Sequence, residues 1–463
     1  MVHQADKYSL SADAKKVSYA LHPDTVIFIN QALSEDDVPR VKGLLSSLHM
    51  ADIAEYINQV SPSQRAQFVQ ILQEEFDPEL LLEIEPEIRD EVIDQLGIEE
   101  TAAVITKLNT DDAVQIVGDL EDNDQLTILN AMPEKERGAV VEGLAFPEET
   151  AGRRMDASFI AIPSSWTVGA TIDWMRQHDD LSNDYYSLFV VDDNEAPKGY
   201  VPVSRLMHRQ RDVVIKNIME TDVKIITPAM DQEEVAYIFR KYGLVSAPVV
   251  DDNGALKAVI TIDDVVDIIQ EEAEEDITRL GGVDGSDLYS TSIETAMHRF
   301  PWLFVNLLTA IGASAIIMMF DASIEKLVAL AVLMPIVASM AGNAGTQTLT
   351  IAVRALAMRE LTATNAMRVV GKEMVAAMVN GVLFAAVVIG ASFFFYNNIH
   401  LSLVFGAATF VSLAIAALAG AMIPLVLARF GWDPAVSSVV FLTTITDMSA
   451  FFIFLGLATW LIL

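Results

Sequence analysis

The chain has 463 residues, 52% of them hydrophobic, and its mean hydropathy of +0.36 is high for a soluble protein of this size. It has no cysteine, which excludes disulfides, thiolate metal sites and thiol catalysis. All of the formal net charge of −34 lies in residues 1–300, because acidic and basic residues balance after residue 300, and a charge of this sign repels nucleic acid and attracts cations.

The first third of the chain is predicted to be helical. Residues 1–34 are interpreted as an N-terminal tail, and its first twenty residues lack the apolar run of a secretory signal. Over 35–150, prolines such as Pro62 and Pro86 stand where a first helical turn begins, and apolar residues recur at helical spacing. Short helices of this kind stack as a small superhelix. Taken alone, Asp111, Asp112 and Asp119 are interpreted as solvated surface carboxylates.

An internal repeat follows the helical region. Residues 189–207 and 248–266 match at a fixed offset of 59 residues and share the block Val-Val-Asp-Asp-Asn. In each copy an apolar strand enters an Asp-Asp-Asn turn, and a helix precedes it, over 168–177 and 232–242. The pattern predicts two α/β modules, 151–211 and 212–270, that pack face to face as a ligand-sensing or dimerising unit. A duplicated structural domain without a ligand is the alternative.

A strongly acidic helix is predicted to link the second module to the first apolar run, with the connecting segment at 271–298. Val266, Ile269 and Ile277 lie on its predicted apolar stripe, and Asp264, Asp267, Glu271 and Glu275 share another face. Like charges at this spacing repel each other, whereas hard cations such as Mg2+ take carboxylate ligands. A cation-bridged helix and a simply solvated acidic face both remain open.

Five apolar runs predict an α-helical membrane domain over 299–463. Each is long enough to cross a hydrocarbon core of about 30 Å as a helix. Arginine and lysine concentrate in the loops after the second and fourth runs, which places those loops and residues 1–300 in the cytoplasm and Leu463 outside. The predicted protein is thus multi-pass in the plasma or inner membrane, and the runs cover 301–320, 327–353, 374–396, 401–428 and 434–463.

Two of the runs carry polar residues at membrane depth. Asp447 lies near the middle of the last run, close to Thr443 and Thr444, with no basic residue near the middle of any run. A cation ligand in a pathway is favoured over a structural hydrogen-bonding role. The second run contains a helix-weakening proline and a small, polar segment, for which a pore-lining role and tight helix packing are the alternatives. Its residues are Pro335, Gly342, Asn343, Gly345 and Gln347.

These pieces resemble the MgtE family of magnesium transporters over nearly the whole chain. The membrane part carries MPIVASMAGNAGTQ at 334–347 and RALA at 354–357, and the repeated modules look like CBS domains. The resemblance implies a homodimer with a helical N domain, a CBS pair, a connecting helix and five spans. It also implies a Mg2+-binding Asp447 in a pore lined by the second and fifth spans, with Asn343 in the family's Gly-Asn motif.

The resemblance further implies that regulatory Mg2+ ions bridge the N domain, the CBS pair and the connecting helix, and so hold the pore shut. The matching ligands would be Asp231, Glu233, Asp264, Asp267, Glu272, Glu275 and Asp276, with Asp433 near the cytoplasmic mouth and Asp111 as a looser match. Because CBS modules often bind adenine nucleotides, ATP is an expected modulator.

Three other functions compete with magnesium transport. A channel or carrier for Co2+ or Ni2+ fits the same residues. An intramembrane zinc protease needs a His-Glu-x-x-His helix, and no two of the seven histidines are close in sequence, so no enzymatic activity is expected. A nucleotide sensor with a passive membrane anchor has no use for a carboxylate at position 447.

Overall fold

The computed structural model describes residues 21–178, 181, 185–283, 292–362 and 364–462. The chain separates into two compact units, Met1–Ile269 and Gln270–Leu463, and the boundary falls within one helix. The fold class is the predicted one. A helical N domain and a pair of α/β modules make up the first unit, and the second contains five helices that are long and apolar enough to cross a membrane.

Ten short helices build the N domain. Pro62 and Pro86 are the first residues of two of them, as predicted, because proline lacks the amide hydrogen that a first helical turn leaves unbonded. A single-turn 3-10 helix, Gln73–Glu75, lies among them. The helices are α1 (Pro23–Ser34), α2 (Val38–Leu45), α3 (Met50–Gln59), α4 (Pro62–Leu72), α5 (Leu80–Glu83), α6 (Pro86–Leu96), α7 (Ile98–Ile105), α8 (Thr110–Gly118), α9 (Asp122–Ala131) and α10 (Glu134–Leu144).

The predicted tail, 1–34, is too long. Helix α1 lies within it, and Ile29, Ala32 and Leu33 are buried in the same apolar core as the helices that follow. Residues 1–20 lie outside the described residues. The helix was missed because its apolar residues contact partners far along the chain, which local composition does not reveal.

Two buried arginines tie successive helices of the N domain together. Arg65 donates hydrogen bonds to the carbonyl oxygens of Ile57 and Val60, both at 3.1 Å, and contacts Glu91. Arg89 repeats the arrangement, with bonds to the carbonyl oxygen of Ile84 at 3.2 Å and to Asp119 at 2.8 Å. Each arginine follows the initial proline of its helix by three residues, so this Pro-x-x-Arg spacing satisfies carbonyl groups at the end of the preceding helix.

The repeated modules form two small sheets. Strand β1 pairs in parallel with β2, β2 is antiparallel to β3, and β4 is antiparallel to β5. The helices at the predicted positions, α11 and α13, confirm the repeat. The elements are β1 (Ala161–Pro163), α11 (Val168–Met175), β2 (Ser187–Val191), β3 (Pro197–Pro202), α12 (Val203–Met207), a 3-10 turn (Ile215–Asn217), α13 (Gln232–Tyr242), β4 (Ser246–Val250), β5 (Leu256–Thr261) and α14 (Ile262–Gly281).

The shared Asp-Asp-Asn block makes the same turn in both modules. In the first, Oδ1 of Asp192 accepts hydrogen bonds from the amides of residues 194 and 196, and in the second, Oδ1 of Asp251 does so from residues 253 and 255. The modules also pack on each other, through a small apolar cluster that includes Phe189, Leu256 and Val259.

The buried face of α14 is not the apolar stripe that was predicted. Val265 and Ile268 are buried, whereas Val266, Ile269 and Ile277, on the predicted apolar stripe, are 54%, 45% and 70% exposed. The helix also starts inside the second module and ends at Gly281. Of the predicted connecting segment, 271–298, residues 284–291 lie outside the described residues, and the next described helix is Ser292–Met318.

The second unit contains the five candidate membrane spans. They are α15 (Ser292–Met318), α17 (Ala329–Ala357), α18 (Ala366–Tyr396), α19 (Ile399–Arg429) and α20 (Pro434–Leu461), with a short α16 (Asp321–Lys326) between the first two. The expected weakening at Pro335 is not observed, since α17 continues through it and through Gly342 and Asn343. Neighbouring helices re-satisfy or bury a backbone group that such a proline frees.

Helices α17 and α19 approach closely at two glycines. A Cβ atom added at Gly420 would lie 2.5 Å from the carbonyl oxygen of Gly345 and 3.1 Å from the amide nitrogen of Leu349. Without a hydrophobic driving force in lipid, helices associate largely through contacts of this kind, which only small residues permit.

Replacing Gly420 by alanine is expected to destabilise the membrane unit, because the new methyl group would push two backbones apart. Overpacking of this kind costs about 1–3 kcal/mol. The melting temperature in detergent, followed by size-exclusion chromatography after heating, should therefore fall. Gly390→Ala on α18 is the matched control, since nothing lies within 4 Å of a Cβ at Gly390. Equal melting temperatures for the two variants would contradict the close contact.

Candidate functional site

Two carboxylates meet between the N domain and the second module in the first unit. Asp111, in the first turn of α8, and Asp264, in the first turn of α14, share a side-chain hydrogen bond. Asp111 is only 8% exposed, and its Oδ1 has no hydrogen-bond partner. The interpretation of Asp111 as solvated surface is therefore wrong. Residues distant in sequence, among them Asp264 and Asp156, lie around it, and a short sequence window does not contain that information.

Burial is the main cause of the electrostatics here. It raises the pKa of Asp111 well above the usual range, and the charges of Asp264 and Asp112 add to the shift. Burial also raises the pKa of Asp264, although hydrogen bonds from Thr261, at 2.8 and 3.1 Å, oppose the rise. Two adjacent carboxyls that resist ionisation need either a shared proton or a bound cation.

Further acids surround the pair. Burial raises the pKa of Asp112 to about 7, with contributions from Asp264, Asp156 and Asp263. Burial also raises the pKa of Asp267, against the lowering effect of Arg154. Sequence reasoning missed Asp112, Asp156 and Asp263 as members of the cluster. A run of acids at the start of two helices was the available signal, and it is common on solvated surfaces.

The fit of these residues to Mg2+ rests on their oxygen atoms. Asp111 offers a buried oxygen without a partner, beside a second carboxylate, which suits a hard cation. Within the described ranges, however, no three histidine, aspartate or glutamate side chains converge on one point. Asp111 and Asp264 would therefore hold the ion together with water molecules or further residues.

Two other predicted ligands have a structural role of their own. Asp231 is the N-cap of α13, and its Oδ1 accepts a hydrogen bond of 2.9 Å from the amide of Glu233. A capping carboxylate at this position stabilises the helix without any metal. The role of Asp231 and Glu233 as metal ligands stays a prediction.

In the second unit, an arginine occupies the centre of a predicted metal site. Arg279 on α14 contacts Glu275 on its own helix, and its Nη1 donates to Oδ2 of Asp433 at 2.5 Å. Burial and the charge of Asp433 raise the pKa of Asp276. Three predicted ligands are therefore drawn together, and Arg279 supplies positive charge among them. The sequence signal that could have identified Arg279 was its spacing of four residues from Glu275, which is the spacing of an ion pair on a helix. Glu272 lies one turn earlier and stays a prediction.

Asp447 lies on α20 without a hydrogen bond or an ion pair to any residue that the structure describes, and it is half-buried. Nearby hydroxyls bond to their own helix, with Thr443 donating to Val439 at 2.6 Å and Thr444 to Val440 at 2.7 Å. Their oxygen lone pairs remain available as acceptors. The structural hydrogen-bonding role therefore lacks a partner within the described chain, which favours the alternative of a cation ligand.

The polar residues of α17 divide between two faces. Pro335, Asn343 and Gln347 are exposed, and nothing lies within 4 Å of a Cβ added at Gly342. Gly345 is buried instead, and a Cβ there would lie 2.9 Å from Leu442. This close contact with α19 and α20 favours the alternative of tight helix packing for Gly345, and its pore-lining role stays a prediction.

Asn343 and Gln347 also line a cavity of about 310 Å³ between α17, α18 and α19. Helix α18 contributes Glu373 and Asn380 to its wall, and neither was predicted as a site residue. A single acid at the edge of an apolar run is usually a solvated end, so the local pattern offered little reason to select Glu373.

Known proteins are similar to this chain over nearly its whole length. Models of three families match it, described as the MgtE intracellular N domain at residues 48–149, the CBS domain at 215–271 and a divalent cation transporter at 334–457. A Bacillus subtilis protein named magnesium transporter MgtE is 26% identical over 95% of this chain and 97% of its own length. A protein of the same name from Thermus thermophilus is 33% identical over 70% of this chain and 73% of its own length.

A solved structure is similar to about half of this chain. It is described as the cytosolic domain of the Mg2+ channel MgtE in complex with ATP, and it covers 52% of this chain and 99% of that chain, with 23% identity and a TM-score of 0.49.

The helical N domain, the paired CBS modules and the five candidate spans define a membrane protein with a large acidic non-membrane region. The family models and the Thermus thermophilus relative identify it further. The chain belongs to the MgtE family.

The raised pKa of Asp112 predicts a pH dependence for the fragment 1–269 in a chelator. The native carboxyl keeps its proton up to pH about 7, whereas the unfolded one loses it near its ordinary pKa of 3.8, so stability falls as pH rises between these values. One proton contributes at most about 1.4 kcal/mol per pH unit. Melting followed by circular dichroism should show this slope, reduced in Asp112→Asn. The exposed control Asp124→Asn should keep the slope, and an unchanged slope in Asp112→Asn would refute the assignment.

Proposed function

We propose that the chain carries Mg2+ across the plasma or inner membrane as a homodimeric channel or transporter, and that Asp447 binds the ion in its pathway. The single observation that supports this most is the carboxylate of Asp447, half-buried on an apolar helix with no partner among the described residues. A carboxylate at this depth costs at least about 2.5–3.5 kcal/mol. A cation bound to the carboxylate in the pathway would offset this free-energy cost. Membership of the MgtE family and the names of its relatives support Mg2+ as the ion.

The chemistry of Mg2+ suits these residues. The ion prefers octahedral oxygen coordination, gives up water reluctantly and is bound by one or two carboxylates plus water. Asp447 would supply the charge, and the hydroxyls of Thr443 and Thr444 and the amide of Asn343 would accept hydrogen bonds from water around the ion. In a homodimer each of these groups is present twice. Loops rich in basic residues face the cytoplasm, which puts residues 1–300 there and the C-terminus outside.

Gating would use the carboxylates of the cytoplasmic part. At low Mg2+, the repulsion between Asp111, Asp264 and their acidic neighbours favours separation of the N domain from α14. At high Mg2+, a shared ion favours the closed arrangement by its binding free energy, and the effect grows with ion concentration. ATP binding to the CBS pair stays a separate prediction.

Asp447→Ala is expected to abolish Mg2+ uptake into proteoliposomes while the protein still inserts. The alanine removes the only carboxylate of α20, so the ion loses its charged ligand within that span. The matched control is Asp321→Ala, which removes an exposed carboxylate on the short helix α16. Uptake by Asp447→Ala at the rate of the control would refute the pore assignment. Competition by Co2+ and Ni2+ in the same assay tests the alternative ions.

Millimolar Mg2+ should protect the cytoplasmic region from protease more than Na+ of equal ionic strength does, because a divalent ion bridges carboxylates and a monovalent ion only screens them. The rate of trypsin cleavage of the intact protein measures this. The double variant Asp111→Asn with Asp264→Asn should lose the difference, whereas the exposed pair Asp122→Asn with Asp124→Asn should keep it. Equal protection by both ions in the unmodified protein would rule out bridging.

A further inference from the structure

Glu373 is a second carboxylate within the candidate spans. It is the eighth residue of α18, it is half-buried, and it lines the 310 Å³ cavity between α17, α18 and α19. It forms no hydrogen bond or ion pair with any side chain in the described part of the chain. Its neighbour Lys372 is exposed and does not line the cavity, because successive residues of a helix point about 100° apart. Among the described residues, no cationic side chain therefore pairs with the charge of Glu373.

The polar residues of the cavity come from one face of each of two helices. The lining positions recur at steps of one, three or four residues, 340, 343, 344, 347 and 351 on α17 and 373, 376, 377, 380 and 384 on α18. Asn343 and Gln347 thus line the same cavity as Asn380 and Glu373. The distance along α18 from Glu373 to Asn380 is about 10 Å at 1.5 Å per residue. Leu413 and Ala417 of α19 form an apolar floor.

We propose that this cavity binds a divalent cation that keeps part of its water shell, with Glu373 as its charged ligand and Asn343, Gln347 and Asn380 as hydrogen-bonding partners of the bound water. The proposal rests on the proposed Mg2+ transport and adds a second site to it. No residue of α20 lines the cavity, so Glu373 acts separately from Asp447 in the geometry of a single chain.

The size and polarity of the cavity favour a hydrated divalent cation as its ligand. Six water molecules around an octahedral ion fill roughly 180 Å³ at about 30 Å³ each, so the volume accommodates a hydrated cation. The carboxylate repels anions such as lipid phosphate. Amide groups both donate and accept hydrogen bonds, which lets them hold oriented water molecules rather than displace them. An apolar ligand would leave the carboxylate and the amide groups of the lining without hydrogen-bonding partners.

The absence of cysteine gives a direct test with the full-length protein in nanodiscs. Ala376→Cys places one thiol on the cavity wall, where a small water-soluble maleimide reacts only if water reaches it. Mg2+ at ten times its dissociation constant should slow labelling about tenfold, because the reagent then meets only the unoccupied fraction. Na+ at equal ionic strength should not. Met367→Cys, exposed in the first turn of the same helix and outside the cavity, should label at a rate that Mg2+ does not change.

Glu373→Gln in the Ala376→Cys background decides the proposal, since it removes the charge and keeps the shape. Protection by Mg2+ should be lost there and retained in the matched variant Glu360→Gln, which neutralises an exposed carboxylate outside the cavity. Equal protection in both variants, or no labelling of the Ala376→Cys protein in the absence of Mg2+, would overturn the site. Labelling does not require transport, so the two proposals fail separately. An unmodified protein that takes up no Mg2+ would refute the proposed function, whereas the labelling rates would still show whether the cavity binds the ion.

Discussion

Carboxylates that outnumber their cationic partners constrain this molecule more than any other feature. An excess of 34 negative charges lies before the first span, and the fold brings several of these groups together instead of spreading them over the surface. Asp111 shares a hydrogen bond with Asp264, and Asp276 lies within the field of Asp433. Such contacts are stable only with a proton, a guanidinium or a metal ion between them. The stability of these contacts therefore depends on which of these cations is present.

Residues 301–463 are under the opposite constraint, since their net charge is zero and their polar groups are few. Close packing of small residues, as at Gly345 and Gly420, holds α17, α19 and α20 together, and small hydroxyl residues such as Thr348 and Thr446 are buried among them. The asparagine, glutamine and carboxylate groups at Asn343, Gln347 and Glu373 lie instead on open faces and in the cavity. Asp447 and Glu373 stand on two different helices, and neither pairs with another residue in the described chain. This separation of packing residues from polar residues is what a hydrated ion path requires.

Local pattern predicted most of the fold, and long-range packing accounts for what it missed. The length of the apolar runs and their scarcity of charged residues identified all five candidate spans. The repeated Asp-Asp-Asn turns identified both modules. The burial of Asp111, the choice of face on α14 and the packing role of Gly345 depend on helices that are distant in sequence. Asp447 was selected as an unusual residue because membrane depth makes any carboxylate costly. Glu373 lacked that signal, since it lies at the edge of its apolar run.

The arginine at position 279 has a consequence for how the acidic segment responds to its surroundings. A guanidinium keeps its charge at every physiological pH and is covalently attached, so a chelator cannot remove it. Its contact with Asp433, at the last turn of α14, therefore keeps its charge whether or not metal is present. The contact between Asp111 and Asp264, at the first turn, needs instead a proton or an ion that exchanges with solvent. The two ends of α14 thus differ in what can neutralise them: an attached guanidinium at one, an exchangeable cation at the other.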